Sequence, residues 1–201
     1  MAEELPLEGR PARPERADAA RNRRRVLDAA RRLFAAHGVS AVTMGDVARE
    51  AGVAKGTVFH RFGDRQGLAQ ALVDDAERAL QDELLRGPPP LGPGAPPSDR
   101  LLAFLDALLA LGIAHRDLLL EVDSAGPAAR QRTGAYRAWL QHVAMLLSQL
   151  GDVPDPGLAA HALLAPFAPE LLYHLQEDEG RSPDELRPVV LDLARRFTAR
   201  G

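Results

Sequence analysis

The sequence predicts an all-α protein of about nine helices, arranged as a small N-terminal head and a larger C-terminal domain. Apolar residues recur every three or four positions along most of the chain, and no segment alternates apolar and polar residues as a strand does. Helix-capping residues and glycines separate the periodic segments. With 201 residues, 46% of them hydrophobic, the chain is long enough to bury a core.

The first helix is predicted over about residues 21–37, where apolar residues share one face, and Gly38 ends it. Residues 1–20, which hold three prolines and few large apolar side chains, are predicted to form a disordered arm. This segment could also lie along a polyanion as a basic arm, although its four glutamates weaken that alternative.

Two short helices complete the head, which we place at residues 21–67. Thr43 is predicted to cap the first of them, and Asp46 three residues later completes a capping-box pattern. Gly52 supplies the positive φ that the following turn needs. The second short helix is predicted over about residues 54–59.

The remainder, residues 68–201, is predicted to form a second helical domain. A fourth helix, capped by Asp64, precedes a linker at residues 87–97, because six of those residues are prolines and lack the N–H donor. We expect a later helix to kink near Pro166 and Pro169. The five helices after the linker are predicted at about 98–115, 116–123, 127–150, 155–178 and 182–197.

Charge is unevenly distributed along the chain, although the net charge is only −3. Residues 1–68 hold 13 Lys and Arg against 9 Asp and Glu, whereas residues 69–201 hold 12 against 19. The basic front indicates a polyanionic partner there, although asymmetry of this size is also common without one. Because the sequence shows no cysteine, secretion signal or membrane-length apolar run, we expect a cytoplasmic protein without membrane contact.

A capped short helix, a glycine turn and a second short helix follow the order of a helix-turn-helix, whose second helix enters the DNA major groove. Lys55 and Thr57 are placed to contact either base edges or phosphates, and Gly56 allows close backbone approach. Arg61 and Arg65 are placed for phosphates, which supply affinity rather than sequence choice.

The helix start at Thr43 is a further candidate phosphate site, because free N–H groups and the helix dipole attract anions. Met44 beside it is either a core residue or a DNA contact. Arg23, Arg24 and Arg25 either form a solvated helix face or touch phosphate.

The segment TMGDVAREAGVAKGTVFHRFGDRQGL resembles the TetR family of bacterial regulators. The family pattern has a capped second helix, an AGV turn, a short helix of the form (S/A)-K-G-T-(L/V)-(Y/F)-x-x-F, and a basic residue opening the fourth helix. The resemblance implies a homodimeric repressor that a small-molecule ligand of its C-terminal domain releases from the operator. The DNA-binding residues so predicted are Thr43, Lys55, Gly56, Thr57, Phe59, His60, Arg61 and Arg65.

Two positions depart from the family pattern. Phe59 stands where many relatives carry a tyrosine whose hydroxyl often bonds a phosphate, so that contact is lost unless His60 or Arg61 replaces it. Gly45 stands where relatives often have a longer polar side chain, so the second helix is predicted to read little sequence. These departures leave open a second hypothesis, a helical ligand-binding or interaction protein whose head has lost specific DNA binding.

The C-terminal domain is predicted to bind a small apolar or amphipathic molecule, because pockets between bundled helices are mostly apolar. The candidate lining residues, any one of which is more often plain core, are Phe104, Leu108, Leu119, Tyr136, Trp139, His142, Met145 and Phe167. By resemblance, the last two long helices form the dimer interface. Its predicted residues are Leu158, Ala162, Ala165, Leu172, Leu186, Val190, Leu193 and Phe197.

The sequence predicts no enzyme, no cofactor and no metal site. It contains no nucleophile elbow, phosphate loop or dinucleotide fingerprint, and its six histidines lack the spacing of a helical zinc site. The direction of regulation depends on where the operator lies, so the sequence leaves activation open beside the expected repression.

Overall fold

A computed structural model describes residues 13–123, 130–151 and 153–198 of the chain. Within these ranges every regular element is helical, which confirms the predicted all-α fold class. The chain divides into two compact units, Met1–Leu68 and Ala69–Gly201. None of the helices in the described ranges is long and apolar enough to cross a membrane.

The N-terminal unit contains three complete helices: α1 over Arg13–His37, α2 over Met44–Ala51 and α3 over Lys55–Phe62. Helix α1 begins eight residues before the expected start, so the prediction of a disordered arm is wrong for residues 13–20. The extra turns are alanine-rich, and an ion pair between Asp18 and Arg21, three residues apart, stabilises them. Residues 1–12 lie outside the described part of the chain.

Helix α2 begins and ends as the sequence predicts. Thr43 accepts a hydrogen bond from the backbone N–H of Asp46, whose carboxylate accepts one from the N–H of Thr43, so the capping box is formed. Gly52 has a φ of 62° at the C-terminal end. Helix α3 continues to Phe62, three residues beyond its predicted end, and stops before Gly63, whose φ is 76°.

The core of the N-terminal unit is formed by the facing sides of its three helices. Met44 is 7% exposed, which favours the core interpretation of this residue over a DNA contact. Val47 and Val58 are fully buried, and they anchor α2 and α3 to this core. The other buried apolar residues here are Val26, Leu27, Ala29, Ala30, Phe34, Val39, Val42, Ala48, Ala51 and Leu68.

Replacing Asp46 by alanine is expected to destabilise α2 by about 1 kcal/mol, because the helix loses half of its capping box. Amide hydrogen exchange of α2 residues in the full chain measures this local effect. Asp46→Asn keeps an acceptor oxygen and is expected to lose less. Equal exchange rates in the parent chain and Asp46→Ala would contradict the role given to this cap.

The C-terminal unit is built from most of α4, which spans Arg65–Arg86, and six further helices. The six helices are α5 over Pro97–Ala114, α6 over Arg116–Asp123, α7 over Gly134–Leu150, α8 over Pro156–Leu164, α9 over Pro169–Tyr173 and α10 over Pro183–Thr198. Its core includes Leu101, Leu105, Val143, Leu146 and Leu164, which are at most 1% exposed. This core holds α5, α7 and α8 together.

Two helices of this unit begin elsewhere than predicted. Helix α5 starts at Pro97, in the first turn, where no residue donates an intrahelical hydrogen bond and a proline therefore costs none. Pro96 precedes it without a side-chain cap. Helix α7 starts at Gly134, because the hydroxyl of Thr133 accepts the N–H of Tyr136. The predicted start of α7 at Pro127 lies outside the described residues.

The predicted kinked helix over 155–178 is two helices instead. Residues 165–167 form a 3₁₀ turn and Ala168 is extended, with φ −65° and ψ 128°. Pro169 explains this break, because proline disfavours helical geometry in the residue before it and supplies no N–H to the preceding turn. After α9, residues 174–178 form a π turn. If α8 and α9 are counted as one interrupted helix, the described ranges contain nine helices, as expected.

Candidate nucleic-acid interface

Helix α3 presents a polar, cationic face to solvent. Val58 is buried, whereas Lys55, Thr57, His60 and Arg61 are exposed. The helix sequence KGTVFHRF contains no acidic residue, so this face carries an unopposed positive charge within the helix. A short helix with this face is suited to a major groove lined by acceptors and phosphates.

Phe59 lies on the same face and is 42% exposed. The Nζ atom of Lys55 is 5.5 Å from the centroid of the Phe59 ring, within the range of a cation–π contact. The phenyl ring therefore positions the lysine rather than donating a hydrogen bond as a tyrosine would. Gly56 has nothing within 4 Å of the position of an added Cβ, so the backbone there is open to close approach.

The remaining predicted DNA residues differ in how free their side chains are. The hydroxyl of Thr43 donates to Asp46 Oδ2 at 2.7 Å, so it is committed to the cap of α2. These bonds hold the pKa of Asp46 below its usual value. Arg65 is half-buried and donates from Nη1 to the carbonyl of Ser40 at 3.1 Å, which ties the start of α4 to the loop before α2.

The arginine run of α1 has separate roles in the structure. Arg25 donates from Nη2 to the carbonyl of Gly52 at 3.3 Å, so it supports the turn between α2 and α3. Arg24 is exposed. Arg23 lines a shallow depression of about 320 Å³ between α1 and α3, together with Asn22 and Arg61. Sequence reasoning missed Asn22, because only the fold brings it into the same depression as Arg61.

Five of the predicted ligand residues differ in their burial. Phe104, Leu108, Leu119 and Phe167 are each less than 10% exposed and belong to buried surfaces of the unit. Met145 is 42% exposed. Their part in ligand binding stays a prediction.

The two aromatic candidates with polar atoms lie on α7. The hydroxyl of Tyr136 is 3.2 Å from Nδ1 of His161, and the guanidinium of Arg130 lies over the Tyr136 ring at 5.5 Å. Trp139 lines a cleft of about 390 Å³ between α4 and α7, where Asp74, Glu77 and Arg78 face it from α4. This volume is in the range of a small-molecule site.

His142 is a partly buried titratable group of the C-terminal unit. Its ring lies edge-on to Phe104, with 5.2 Å between centroids. Burial and, to a lesser extent, the positive charge of Arg100 lower the pKa of His142 from 6.5 to about 4. The imidazole is therefore neutral at pH 7.

The lowered pKa of His142 predicts acid destabilisation. Unfolding restores an ordinary pKa to His142, so the unfolded chain binds a proton more readily than the folded chain does. The free energy of unfolding is therefore unaffected above about pH 6.5 and decreases as the pH falls towards 4. After discounting for solvent that reaches the partly buried ring, we expect about 1–2 kcal/mol. Urea unfolding at pH 7.5 and 4.5 should show a smaller pH dependence in His142→Gln than in the parent chain, and an unchanged dependence would contradict this assignment.

The residues predicted for the dimer interface differ in exposure, and one of them is corrected to the core. Leu158 is 67% exposed and Leu193 is 39% exposed, but Leu172 is only 1% exposed. Leu172 packs against α5, where its Cδ1 would be 2.9 Å from a Cβ added at Gly112, so it belongs to the core. Ala162 and Ala165 are exposed, and Leu186 and Val190 are half-buried. The side chain of Phe197 lies outside the described part of the structure.

A groove of about 660 Å³ runs along α9, the π turn and α10, and its lining is largely apolar. Sequence reasoning missed two exposed residues in it, Leu171 at 40% and Val189 at 69%. Val189 was recognisable as part of an apolar helix face, but only the packing of α10 shows which apolar residues stay uncovered.

The capped helix, the turn at Gly52 and the exposed cationic helix define the N-terminal unit as a helix-turn-helix domain. Residues 26–72 match the family model described as "Bacterial regulatory proteins, tetR family". Residues 26–72 thus match the N-terminal domain of that family, which confirms the resemblance found in the sequence.

The curated proteins most readily compared with this chain include HTH-type transcriptional regulators. AlkX, an HTH-type transcriptional regulator of Mycobacterium tuberculosis, is 50% identical over 27% of this chain and 30% of its own length. The chain spans about a third of the length of several curated relatives it matches.

Two solved structures resemble the chain over most of its length. A candidate regulator from Saccharomonospora viridis, in complex with choline, has a TM-score of 0.68 at 22% identity, covering 88% of this chain and 96% of its own. A TetR-family transcriptional regulator from Streptomyces coelicolor has a TM-score of 0.66 at 21% identity, covering 90% and 95%. At these identities the likeness shows a shared fold.

Proposed function

We propose that the protein is a sequence-specific transcriptional regulator, a homodimeric repressor released from its operator by a small molecule. The single observation that carries this proposal is the exposed face of α3 in a TetR-type helix-turn-helix. That face combines Lys55, Thr57, His60 and Arg61 on a helix that contains no acid. Such a surface matches a negatively charged groove. The protein would act in the cytoplasm, where bacterial DNA lies.

The dimer part of the proposal is supported by the apolar groove along α9 and α10. Leu171, Val189 and Leu193 are large apolar residues on one face, each at least 39% exposed. Contiguous apolar surface of this kind marks a site of association, because leaving it in water is unfavourable. A symmetric dimer would present two α3 helices to two operator half-sites.

The effector part is supported by the cleft between α4 and α7, which Trp139 lines. A relative of the same fold has been solved with choline bound, so this fold accommodates a small molecule. The competing hypothesis, an interaction protein without specific DNA binding, still has Phe59 and Gly45 in its favour, because both positions lack polar side chains.

Fluorescence anisotropy of the purified protein on labelled DNA tests the regulatory function. DNA from upstream of its own gene is compared with scrambled DNA at two salt concentrations. A specific regulator is expected to bind its own upstream DNA about a thousandfold tighter or more. If binding to both DNAs is equal and strongly salt-dependent, the next experiment is selection from a random-sequence DNA library. Failure to enrich any sequence would favour the hypothesis of an interaction protein without specific DNA binding.

A further inference from the structure

An exposed phenyl ring lies on the helix face that the proposed regulator turns towards DNA. Phe59 is 42% exposed, whereas Val58, the preceding residue of α3, is fully buried in the head. The other exposed side chains next to it in the chain, Thr57 and His60, are polar. The ring is therefore available to whatever lies against α3, and covering it would be favourable because apolar surface leaves water.

The neighbours of Phe59 on α3 place a charge on one side of the ring and open space on the other. Residues three and four positions apart are neighbours on a helix surface, so Gly56 and Lys55 flank the ring from the preceding turn. The Nζ atom of Lys55 is 5.5 Å from the ring centroid. A Cβ added at Gly56 would meet nothing within 4 Å. The lysine thus holds the ring, and the bare backbone at Gly56 leaves room for a base edge beside it.

A phenyl ring can recognise only a small part of the surface of DNA. It has no hydrogen-bonding atom, so pressing it against a phosphate, or against the donors and acceptors of a base edge, would remove water from groups that it cannot pair. Among the four bases, thymine presents a methyl group in the major groove, and apolar side chains contact that group. The chemistry of the ring therefore matches thymine.

We infer that Phe59 reads the 5-methyl group of a thymine in each operator half-site, beside a guanine or a phosphate that Lys55 contacts. Four residues advance α3 by about 6 Å, and stacked bases are about 3.4 Å apart, so the thymine lies within about two base pairs of the Lys55 contact. The base assignment rests on the proposed regulatory function, in which α3 enters the major groove. The missing hydroxyl of Phe59 would then determine base choice rather than weaken DNA binding.

Deoxyuridine in place of thymidine tests this contact, because it removes the methyl group and keeps the base pair. The probe is a DNA duplex that the full-length chain enriches from a random-sequence library, with the thymines of its half-sites replaced one position at a time. Replacement of the contacted thymine is expected to weaken binding about threefold in one half-site and about tenfold in both, because each methyl group would stay in water. Fluorescence anisotropy measures these affinities.

Phe59→Ala identifies the side chain that makes the contact. This variant should bind the thymine and uracil duplexes equally well at that position, because no ring remains to cover the methyl group. Thr57→Ser is the matched control, because a threonine methyl can also contact thymine and serine keeps only the hydroxyl. Whatever its overall affinity, Thr57→Ser should keep the ratio of affinities that the parent chain shows for the two duplexes.

An enriched operator without thymine, or one that binds equally well after each replacement, would overturn the assignment of Phe59. Loss of the discrimination in Thr57→Ser instead of Phe59→Ala would overturn it as well. These results would leave the proposed regulatory function intact, because a specific operator would still exist. Failure to enrich any sequence would contradict the regulatory function itself and the thymine contact with it. The measurements on the parent chain do not depend on whether either variant folds.

Discussion

Replacing Val189 and Leu193 by aspartate is expected to convert the proposed dimer into monomers and to weaken operator binding about a hundredfold or more. Both side chains lie on the apolar groove of α10, and two carboxylates there would need to be desolvated in a dimer. A monomer engages one half-site only and loses the gain of simultaneous binding. Sedimentation velocity and DNA anisotropy measure the two effects.

Leu85→Asp is the matched control for this variant, because Leu85 is 59% exposed near the end of α4 and lies outside the groove lining. It should leave both the sedimentation coefficient and the DNA affinity unchanged. A parent chain that sediments as a monomer at micromolar concentration would contradict the proposed dimer, as would a double variant that remains dimeric.

Removal of the two exposed cations of α3 is expected to have the second large effect. Lys55→Ala and Arg61→Ala should each weaken operator binding about tenfold, because each removes a charged donor from the exposed face. The slope of log affinity against log salt should fall by about 0.9 for each DNA phosphate that the variant no longer neutralises. A relaxed sequence preference without a slope change would instead identify a contact to a base.

Arg86→Ala removes the same charge from an exposed position in the C-terminal unit and is the control. Arg65 is less informative as a test, since its bond to the Ser40 carbonyl means that its loss would also disturb the head. Unchanged DNA affinity in both α3 variants would contradict the proposed regulatory function and leave the hypothesis of an interaction protein without specific DNA binding.

The local signals of this chain were readable from sequence because they act over three or four residues. The capping box of Thr43 and Asp46 and the glycine turn at Gly52 both form as predicted. The same kind of capping box opens α10, where the hydroxyl of Ser182 accepts the N–H of Glu185 at 3.3 Å and the Glu185 carboxylate accepts the N–H of Ser182 at 2.8 Å. The capping boxes depend on side chains that meet their own backbone, and the turn depends on the conformational freedom of glycine.

The features that sequence reasoning misplaced depend on tertiary packing. Leu172 and Val189 look alike in an apolar helical pattern, but α5 covers the first and nothing in the described unit covers the second.

The turn between α2 and α3 is fixed before any DNA is present. Arg25 holds the Gly52 carbonyl from α1, and Arg32 of α1 pairs with Glu50 of α2 at 2.9 Å. The exposed face of α3 is therefore preorganised, and its conformational entropy is lost when the chain folds rather than when it binds DNA. The heat capacity change of operator binding should then reflect only the surfaces that meet, without the large negative contribution of a segment that folds on its target.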